Sequence, residues 1–336
     1  MCDGKAVAVV KADAYGNGAV LVAKTLDNKV DLFAVAIVEE AIALREAGIQ
    51  SPILVMQGPH QAAECALTVQ YNLRWILHHQ AQLDWLCTAL DKQTLLQHAH
   101  WVKFDTGMHR LGFMPDQYQS LCQNYPDILH AKCVITTHLA CADEPDNNSA
   151  EQQIAKFVKS FTQHQHFSIA NSAASAYLTE AHQHWNRLGI SLYGSSPFEQ
   201  SDIQLELQAV MRLKAQVIAL REVETGEAVG YGGTWCAQQK SLIATVGIGY
   251  ADGYPRHAPN GTPAIIKGRT AFLAGRVSMD MLTFDVTHIP GVQLGDEVEL
   301  WGDNLPINSI AKHVGTIGYE LMTRVSSRVP RRYINP

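Results

Sequence analysis

Eight short apolar runs, separated by stretches of helical character, make up the first part of this 336-residue chain. A short apolar run bounded by turn residues is typical of a strand buried on both faces of a parallel sheet. Residues 39–48 show the intervening pattern, with one apolar face and a glycine just past the end of a helix. The alternation predicts a (β/α)8 barrel over residues 1–204, with a doubly wound sheet as the alternative. The predicted strands are residues 6–10, 32–37, 52–56, 73–77, 100–104, 131–139, 166–170 and 185–193.

Beyond residue 204 the pattern changes to β-branched runs at short intervals, broken by glycine and proline turns. This pattern predicts a second, mostly β domain over residues 205–336, which closes with a short helix over residues 307–314. The chain shows no internal repeat and no long linker between the two parts.

Charge and composition exclude several classes of protein. A net charge of −6 leaves no basic footprint for nucleic acid as the main partner. We expect a cytoplasmic protein with no membrane association, because the sequence has no apolar stretch of 18 residues and no secretory signal. The seven cysteines lack CxxC spacing, which favours reduced thiols over disulfides or a zinc site. The histidines, His100 among them, show no metal-ligand spacing, so we expect no metal and interpret most of the histidines as surface residues.

Chemically demanding side chains lie where the predicted barrel strands end. Because active sites of (β/α)8 barrels form at the C-terminal ends of the strands, we expect these side chains to converge. A lysine in such a position is costly unless it is paired or reactive, since burial removes its hydration and lowers its pKa. The alternative is a lysine whose ammonium group reaches solvent from the strand end. The residues are Lys11 after the first strand, Lys103, Asp105 and Arg110 at the fifth, His138 at the sixth, Asn171 and Ser172 at the seventh, and Arg187 in the eighth.

Some of these residues suit anion binding, and each also has a structural interpretation. The planar fork of Arg110 suits a carboxylate, although a structural ion pair with the neighbouring Asp105 fits the same pattern. Ser172 precedes a helical stretch whose N–H groups suit a phosphate, although a serine there is also an ordinary N-cap. His138 taken alone fits a core histidine, and Tyr231 fits a core aromatic residue in a glycine-rich turn.

The segment Lys11-Ala-Asp-Ala-Tyr15-Gly-Asn-Gly closely resembles the attachment segment for pyridoxal 5′-phosphate (PLP) in alanine racemases. The resemblance continues in order through both predicted domains to about residue 330, so it implies the barrel and β domain of that family. The other matching segments are residues 100–113, 135–147, 171–175, 187–193, 227–235, 249–256, 275–281 and 317–321.

The resemblance implies roles for the residues of the barrel. Lys11 would carry PLP covalently, Tyr15 would contact its phosphate, and His138 would stack on its pyridine ring. Arg187 would donate to the ring nitrogen, and because a guanidinium stays protonated the nitrogen would stay neutral, which suits removal and return of one α-proton over transamination. The remaining assignments are Asn171, Ser172, Gly189 and Ile190 at the phosphate, Arg110 at the substrate carboxylate, Lys103 (carbamylated in many members) orienting that arginine, and Asp105 in support.

Racemisation needs a base on each face of a planar intermediate, and the β domain supplies a candidate for the second base. Lys11 would serve one face. The resemblance assigns the other to Tyr231, which in the family reaches the site from the partner subunit, so a homodimer with shared active sites is implied. It further implies Tyr250 at the substrate entrance, Met279 with its N–H at the substrate carboxylate beside Asp280, and Tyr319 as a second phosphate or entrance tyrosine.

The implied activity is interconversion of L-alanine and D-alanine, which feeds peptidoglycan synthesis. The open alternatives are a broader racemase acting on serine or lysine, a PLP decarboxylase of the same build, a PLP-carrying protein without activity, and an inactive relic. Arg187 counts against the decarboxylase, which usually has an acidic residue at the ring nitrogen. The β domain with Tyr231 counts against the carrier. Family members have a longer stretch before the first strand, so we expect a shortened N-terminus here.

Overall fold

The apolar runs of the first part of the chain fold into eight strands that pair in parallel. The structure is a computed structural model, which describes residues 4–198, 203 and 205–334. Val7, Phe33 and Leu54 are fully buried, as expected of strands that are covered on both faces. The strands are β1 (Lys5–Val9), β2 (Leu32–Val35), β3 (Ile53–Val55), β4 (Leu73–Leu77), β5 (Trp101–Lys103), β6 (Val134–Thr136), β7 (Phe167–Ser168) and β8 (Trp185–Leu188).

The strand order is β7-β6-β5-β4-β3-β2-β1-β8, so β1 pairs with β2 on one side and with β8 on the other. The two ends of this sheet meet where the N–H of Arg187 in β8 donates to the carbonyl of Ala170, just past β7 (3.1 Å). The sheet therefore curves into a near-closed barrel of the (β/α)8 type. The prediction of a barrel is confirmed, and the doubly wound alternative is wrong.

Helices alternate with these strands along the chain. The predicted helix at residues 39–48 forms over Val38–Glu46, and Gly48 takes a positive φ of 92° just beyond it. Helix Ser149–Ser160 buries Ala150, Ile154 and Phe157, which recur at helical spacing on one face. The other right-handed helices are Ala19–Leu26, Leu67–Gln70, Gln80–Ala89, Lys92–Gln97, Tyr118–Asn124 and Ser172–Tyr177, with 3-10 turns at Ala62–Ala66, Pro115–Gln117, Thr179–Ala181 and Ile190–Tyr193.

The chain divides into two compact units, Met1–Leu192 with Gln200–Leu205, and Tyr193–Glu199 with Glu206–Pro336. The predicted boundary at residue 204 lies outside the described residues. The second unit contains a closed antiparallel barrel in the order β12-β15-β14-β13-β16-β9, and a separate hairpin of β10 and β11. The prediction of a mostly β part is confirmed. Its strands are β9 (Leu213–Val223), β10 (Ala228–Val229), β11 (Trp235–Cys236), β12 (Ser241–Val246), β13 (Pro263–Ile266), β14 (Arg269–Leu273), β15 (Leu282–Asp285) and β16 (Glu297–Trp301).

Helical elements of the second unit are short. The predicted helix over residues 307–314 is present as Ile307–Val314, and Gly315 ends it with a φ of 69°. Helix Gly318–Arg324 follows it, and 3-10 turns lie at Tyr231–Gly233 and Tyr250–Asp252. Across the described part of the chain, no helix has both the length and the apolar composition needed to cross a bilayer. The cysteines within the described residues are free thiols.

His100 is an exception to the expectation that most histidines are surface residues, because its side chain is fully buried. It lies just before β5, and its Nδ1 accepts a hydrogen bond from the backbone N–H of Trp75 in β4 (3.3 Å). The His98 ring stacks on it at 5.9 Å between centroids. Burial, reinforced by the charges of His98 and Arg74, lowers the pKa of His100 to about 3. His100 is therefore a neutral core residue that accepts a hydrogen bond from the backbone of β4.

We expect the pKa of His100 to make the protein less stable in mild acid. The folded pKa lies near 3, whereas an unfolded histidine titrates near 6.5, so the unfolded chain binds the proton first as the pH falls. Between pH 7 and pH 5.5 this residue alone should remove about 1 kcal/mol from the free energy of unfolding. Urea unfolding at both pH values measures this loss.

The matched variant is His100→Asn, which keeps an acceptor for the Trp75 N–H but no longer titrates. Its unfolding free energy should change less between the two pH values than that of the unaltered protein. The exposed His257 provides the control as His257→Gln, which should keep the full loss. An equal loss in all three proteins would show that the instability in acid arises elsewhere.

Candidate active site

A left-handed turn follows β1 and carries two of the predicted site residues. Lys11 begins it, and Ala12, Asp13, Ala14 and Tyr15 all have φ between 51° and 56°, the mirror image of an ordinary helical turn. Each such residue costs about 1–2 kcal/mol when it carries a side chain. A turn of this kind persists only where its surroundings hold it.

Polar groups of the following segment hold this turn from one side. The amide nitrogen of Asn17 donates to the carbonyl of Ala14 (2.9 Å), and Asp13 Oδ1 accepts from the N–H of Ala19 (2.8 Å). The left-handed path buries Tyr15 to 7% exposure. Burial also raises the pKa of Tyr15 to about 12, so its hydroxyl remains a hydrogen-bond donor at neutral pH.

Cationic side chains converge at the C-terminal ends of the barrel strands. Lys11 follows β1, Lys103 ends β5, and Arg187 lies in β8. Burial, followed by the charge of Arg110, lowers the pKa of Lys11, and the Glu40 carboxylate opposes this shift. Burial, reinforced by Arg187 and Arg110, lowers the pKa of Lys103 to about 8. These mutual effects bring four of the predicted residues into one electrostatic cluster.

Arg187 is the most deeply buried of these cations, with 6% of its surface exposed. Burial lowers its pKa to about 10, so the guanidinium stays charged at neutral pH. Its two terminal nitrogens donate only to neutral acceptors. Within the described residues, none of the ion pairs involves Arg187, Lys11, Lys103 or Arg110. The acceptors of Arg187 are Thr136 Oγ1 (3.0 Å), Ser168 O and Oγ (3.1 and 2.6 Å), Thr137 O (2.8 Å), Ile169 O (3.0 Å) and His138 Nδ1 (3.2 Å).

His138 lies just past β6, beside Arg187. Burial, reinforced by the charge of Arg187, lowers the pKa of His138 well below its usual range, so the imidazole is neutral. A neutral ring is able to accept the Arg187 hydrogen bond at Nδ1, as observed. The site therefore contains an uncharged aromatic ring next to a fixed guanidinium.

Asp105 shapes the loop that leads to Arg110. Its Oδ1 accepts from the N–H groups of Gly107 (2.9 Å) and His109 (3.1 Å), and its Oδ2 contacts His109 Nδ1 (3.1 Å). Burial raises the pKa of Asp105, but these N–H groups outweigh burial and hold that pKa below its usual range. The ion pair of Asp105 is thus with His109 and not with Lys103 or Arg110, and Arg110 is exposed.

A small cradle of hydroxyl and amide groups lies between the turn after β1 and the end of β8. The N–H of Gly189 donates to Ser172 Oγ (2.8 Å), and the Ser191 hydroxyl donates to the same oxygen (3.1 Å). A Cβ atom added to Gly189 would lie 2.7 Å from Tyr15 Oη, so only glycine leaves room there. Ile190 begins the 3-10 turn that follows.

Asn171, and not Ser172, caps the helix that begins at Ser172. The Asn171 side chain accepts from the N–H of Ala174 (3.0 Å). The interpretation of Ser172 as an N-cap is therefore wrong, because Asn171 already fills that position. The hydroxyl of Ser172 points instead to Gly189 and belongs to the cradle.

The candidate residues of the second unit lie on turns of that unit. Tyr231 starts the turn between β10 and β11 and is 69% exposed, and Met279 is 53% exposed. Tyr250 lies beside Met279, because the N–H of Ala251 donates to the Met279 carbonyl (3.0 Å). Tyr319 lies in helix Gly318–Arg324, and the adjacent Asp280 accepts from Arg328 (2.8 Å).

Several residues of the site escaped the sequence analysis. Thr136 and Ser168 supply acceptors to Arg187, and His109 pairs with Asp105. Glu40 accepts from the N–H of Ala12 in the left-handed turn (2.6 Å). These residues belong to common polar types without a local motif, and only their spatial partners reveal them. For Glu40 alone the sequence has a signal, since it occupies the third position of a helix.

The fold and the site together define a class of protein. A barrel that gathers unpaired cations around a half-buried lysine, beside a cradle of hydroxyl and N–H donors, is built to hold an anionic group at that lysine. The neutral His138 ring and the fixed Arg187 guanidinium suit a flat aromatic ring with a hydrogen-bond acceptor.

Comparison with known proteins gives the family. Residues 1–197 match the model of the alanine racemase N-terminal domain, and residues 210–333 match that of the C-terminal domain. The chain is 49% identical to the alanine racemase of Alteromonas mediterranea, covering 97% of this chain and 91% of that protein. The crystal structure of the biosynthetic alanine racemase from Pseudomonas aeruginosa superposes with a TM-score of 0.93 at 43% identity, covering 99% of this chain and 93% of the other. The chain belongs to the alanine racemase family.

The family depends on PLP, and the residues of this chain fit that cofactor. A structure of alanine racemase from Bartonella henselae, with covalently bound pyridoxal phosphate, is 32% identical with a TM-score of 0.86, covering 99% of this chain and 93% of that chain. In this chain, the space kept free of a Cβ at Gly189 lies between two hydroxyl groups, Tyr15 Oη and Ser172 Oγ. That cradle fits a phosphate, and Lys11 with the neutral His138 ring and the Arg187 guanidinium fits the rest of the group.

We expect inorganic phosphate to stabilise the protein freed of cofactor, because the cradle and the unpaired cations lack an anion. At a concentration of 100 times its dissociation constant, phosphate should add about 2.7 kcal/mol to the free energy of unfolding. Thermal unfolding with increasing phosphate, against chloride at equal ionic strength, measures the effect.

Gly189→Ala is the variant that tests the location of the phosphate. The added methyl group would occupy the space beside Tyr15 Oη, so the phosphate-dependent increase in Tm should be lost. An increase that persists in Gly189→Ala would mean that phosphate binds elsewhere on the chain.

Proposed function

We propose that this chain is a PLP-dependent alanine racemase that interconverts L-alanine and D-alanine by a two-base mechanism. The observation that carries the proposal is the convergence of Lys11, Lys103 and Arg187 without an ion-pair partner, next to the Gly189 cradle. We further propose that the enzyme works in the cytoplasm and that its D-alanine feeds peptidoglycan synthesis. The catalytic barrel would span residues 1–204 and the β domain residues 205–336.

The barrel residues hold the cofactor in this proposal. When bound, PLP supplies an electron sink that stabilises negative charge at the α-carbon of the amino acid. Tyr15, Ser172 and the backbone of Gly189 and Ile190 would bind its phosphate, with Asn171 capping the helix behind them. Tyr319 would add a second tyrosine at the phosphate or at the substrate entrance.

Arg187 and His138 orient the ring. The neutral acceptors around Arg187 fix the plane of its guanidinium, which would donate to the pyridine nitrogen of bound PLP. Because the pKa of Arg187 is about 10, the guanidinium keeps its proton at neutral pH and would leave that nitrogen unprotonated. Such a neutral nitrogen would favour return of a proton to the α-carbon over transamination.

Lys11 acts as the base on one face of the substrate. Its pKa is lowered by burial and by Arg110, so a larger share of its amine is unprotonated at neutral pH than for a lysine in water. The unprotonated Nζ takes the α-proton from one enantiomer and returns a proton to form it in the reverse direction. Lys11 would also be the site of covalent attachment of PLP.

Tyr231 acts as the base on the opposite face and is contributed by the partner subunit of a homodimer. Its exposure in its own unit, on the turn between β10 and β11, leaves the phenol available to a second chain. The protein partner would therefore be a second copy of this chain, with active sites shared between subunits.

The remaining residues bind the substrate. Arg110 holds the α-carboxylate, oriented by Lys103 and by the loop that Asp105 fixes. A pKa of about 8 leaves part of the Lys103 amine uncharged at neutral pH, which is the form that carbamylation requires. The other substrate residues would be Met279, whose N–H would meet the carboxylate beside Asp280, and Tyr250 at the entrance.

We expect Tyr231→Phe to keep the cofactor but lose racemisation. Loss of a general base should lower kcat/KM by about 10²–10⁴-fold. The absorbance band of PLP bound to lysine as a protonated adduct, at about 420 nm, should remain. In D2O, the variant should still exchange the α-hydrogen of one enantiomer, because Lys11 is intact. Tyr333→Phe, an exposed tyrosine of the same unit, is the control. Exchange lost equally from both enantiomers would argue against opposing bases.

We expect mixing of two inactive variants to restore activity. Lys11→Ala lacks one base and Tyr231→Phe lacks the other, so a mixed dimer contains one intact site if each site takes Tyr231 from the partner. Random exchange of subunits should recover about one quarter of the wild-type activity. Activity after subunit exchange measures this directly. The absence of recovery in verified mixed dimers would place both bases on one chain.

A further inference from the structure

Glu40 makes a contact that its own helix does not require. It occupies the third position of helix Val38–Glu46, and its Oε2 accepts from the N–H groups of Ala36 (2.8 Å) and Ile37 (3.5 Å) at the helix start. A glutamate often caps a helix in this way. Its other oxygen, Oε1, accepts from the N–H of Ala12 at 2.6 Å. The same carboxylate thus binds the chain just after both β1 and β2.

Where the hydrogen bonds between β1 and β2 end, the Glu40 carboxylate replaces a backbone carbonyl as the acceptor. The last ladder pair of β1 and β2 is Val9 with Ala34, and the N–H of Val10 still donates to the Ala34 carbonyl (2.8 Å). At Ala12 the chain has entered the left-handed turn, with φ 51° and ψ 52°, and its N–H donates to Glu40 instead. A charged acceptor makes a stronger hydrogen bond than a carbonyl group, which suits a strained backbone.

We propose that Glu40 is a positioning residue for Lys11: its carboxylate holds the residue that follows Lys11 in the left-handed turn, and so fixes the backbone from which the lysine side chain enters the site. The inference rests on the proposed role of Lys11 as the lysine that bears PLP. Glu40 itself does not touch the reacting atoms.

Glu40 also acts on Lys11 through its charge. Burial and then the charge of Arg110 lower the pKa of Lys11, and the charge of Lys11 adds to burial and the two arginines in lowering the pKa of Lys103. The Glu40 carboxylate raises the pKa of Lys11 and opposes these cations. The Glu40 carboxylate thus has two effects, on the position of the backbone after Lys11 and on the pKa of Lys11, and different measurements distinguish them.

Glu40→Gln tests both effects, and Glu39→Gln is its matched control. The two glutamates are adjacent in the first turn of the same helix, and Glu39 is exposed. Both variants remove one negative charge from the same helix start. Glu40→Gln also replaces the carboxylate that accepts from Ala12 and Ala36, so only this variant should disturb Lys11.

The first measurement uses the full-length protein freed of PLP. Acetylation by acetic anhydride over a series of pH values, followed by mass spectrometry of the Lys11 peptide, gives the titration midpoint of that amine, with the peptide of Lys24 as internal reference. In Glu40→Gln the Lys11 midpoint should move to lower pH, while Glu39→Gln should match the unaltered protein. Because this arm contains no PLP, it tests the inference even where PLP attachment, and with it the proposed function, fails.

The second measurement follows covalent attachment of added PLP to the same proteins, trapped by borohydride and counted by mass spectrometry. A turn that no longer fixes Lys11 should attach PLP about tenfold to a hundredfold more slowly. Glu39→Gln should stay within about twofold of the unaltered protein. A lower Tm for Glu40→Gln with an unchanged Lys11 midpoint and attachment rate would mean a purely structural role and would overturn the inference.

Glu40→Asp decides the question if Glu40→Gln does not fold, as judged by circular dichroism. The aspartate keeps the charge at the helix start but is one methylene shorter, so its carboxylate should no longer reach the Ala12 N–H. We expect slow PLP attachment in this variant, with a Lys11 midpoint closer to that of the unaltered protein. Attachment at the unaltered rate would overturn the inference.

Discussion

The active-site end of the barrel depends on a buried guanidinium, that of Arg187, which has no ion-pair partner among the described residues. Arg187 in β8 donates to groups at the ends of β6 and β7, so one side chain joins three neighbouring strands. Burying a charge with only neutral acceptors costs stability. In the proposed function this cost has a use, because Arg187 would offer bound PLP a donor that does not lose its proton at neutral pH.

The other constraint on the site is the backbone after β1. Four successive left-handed residues from Ala12 to Tyr15 store strain, and local polar groups offset it, with Asn17 and Asp13 on one side and Glu40 on the other. This path separates Lys11 from Tyr15 so that one enters the cation cluster and the other reaches Gly189. Strain and charge are therefore concentrated in the same few residues that we propose bind the cofactor.

Much of the fold was predictable, because buried parallel strands leave continuous apolar runs in the sequence. All eight predicted runs overlap a barrel strand, although most of the strands are shorter, as with residues 131–139 and β6 at Val134–Thr136. The burial of His100 was not predictable, because burial of a single histidine has no sequence signature. The alternative of Ser172 as a helix cap is wrong because Asn171, one residue earlier, occupies that position. The supporting residues Thr136 and Ser168 belong to no motif that sequence reasoning could use, and the helix position of Glu40 indicates a cap but not its contact with Ala12.

The sequence by itself determined the order of strands and helices and the family motifs that mark Lys11, Arg110, His138 and Arg187. These features are local, since apolar periodicity and short motifs are set by neighbouring residues. Only the tertiary structure decided which groups surround those residues. The acceptors of Arg187, the cradle at Gly189 and the contact of Glu40 with Ala12 each join segments far apart in the chain. Hydrogen bonds, desolvation and charge act through space, so pKa values and cofactor geometry emerge only when the barrel closes.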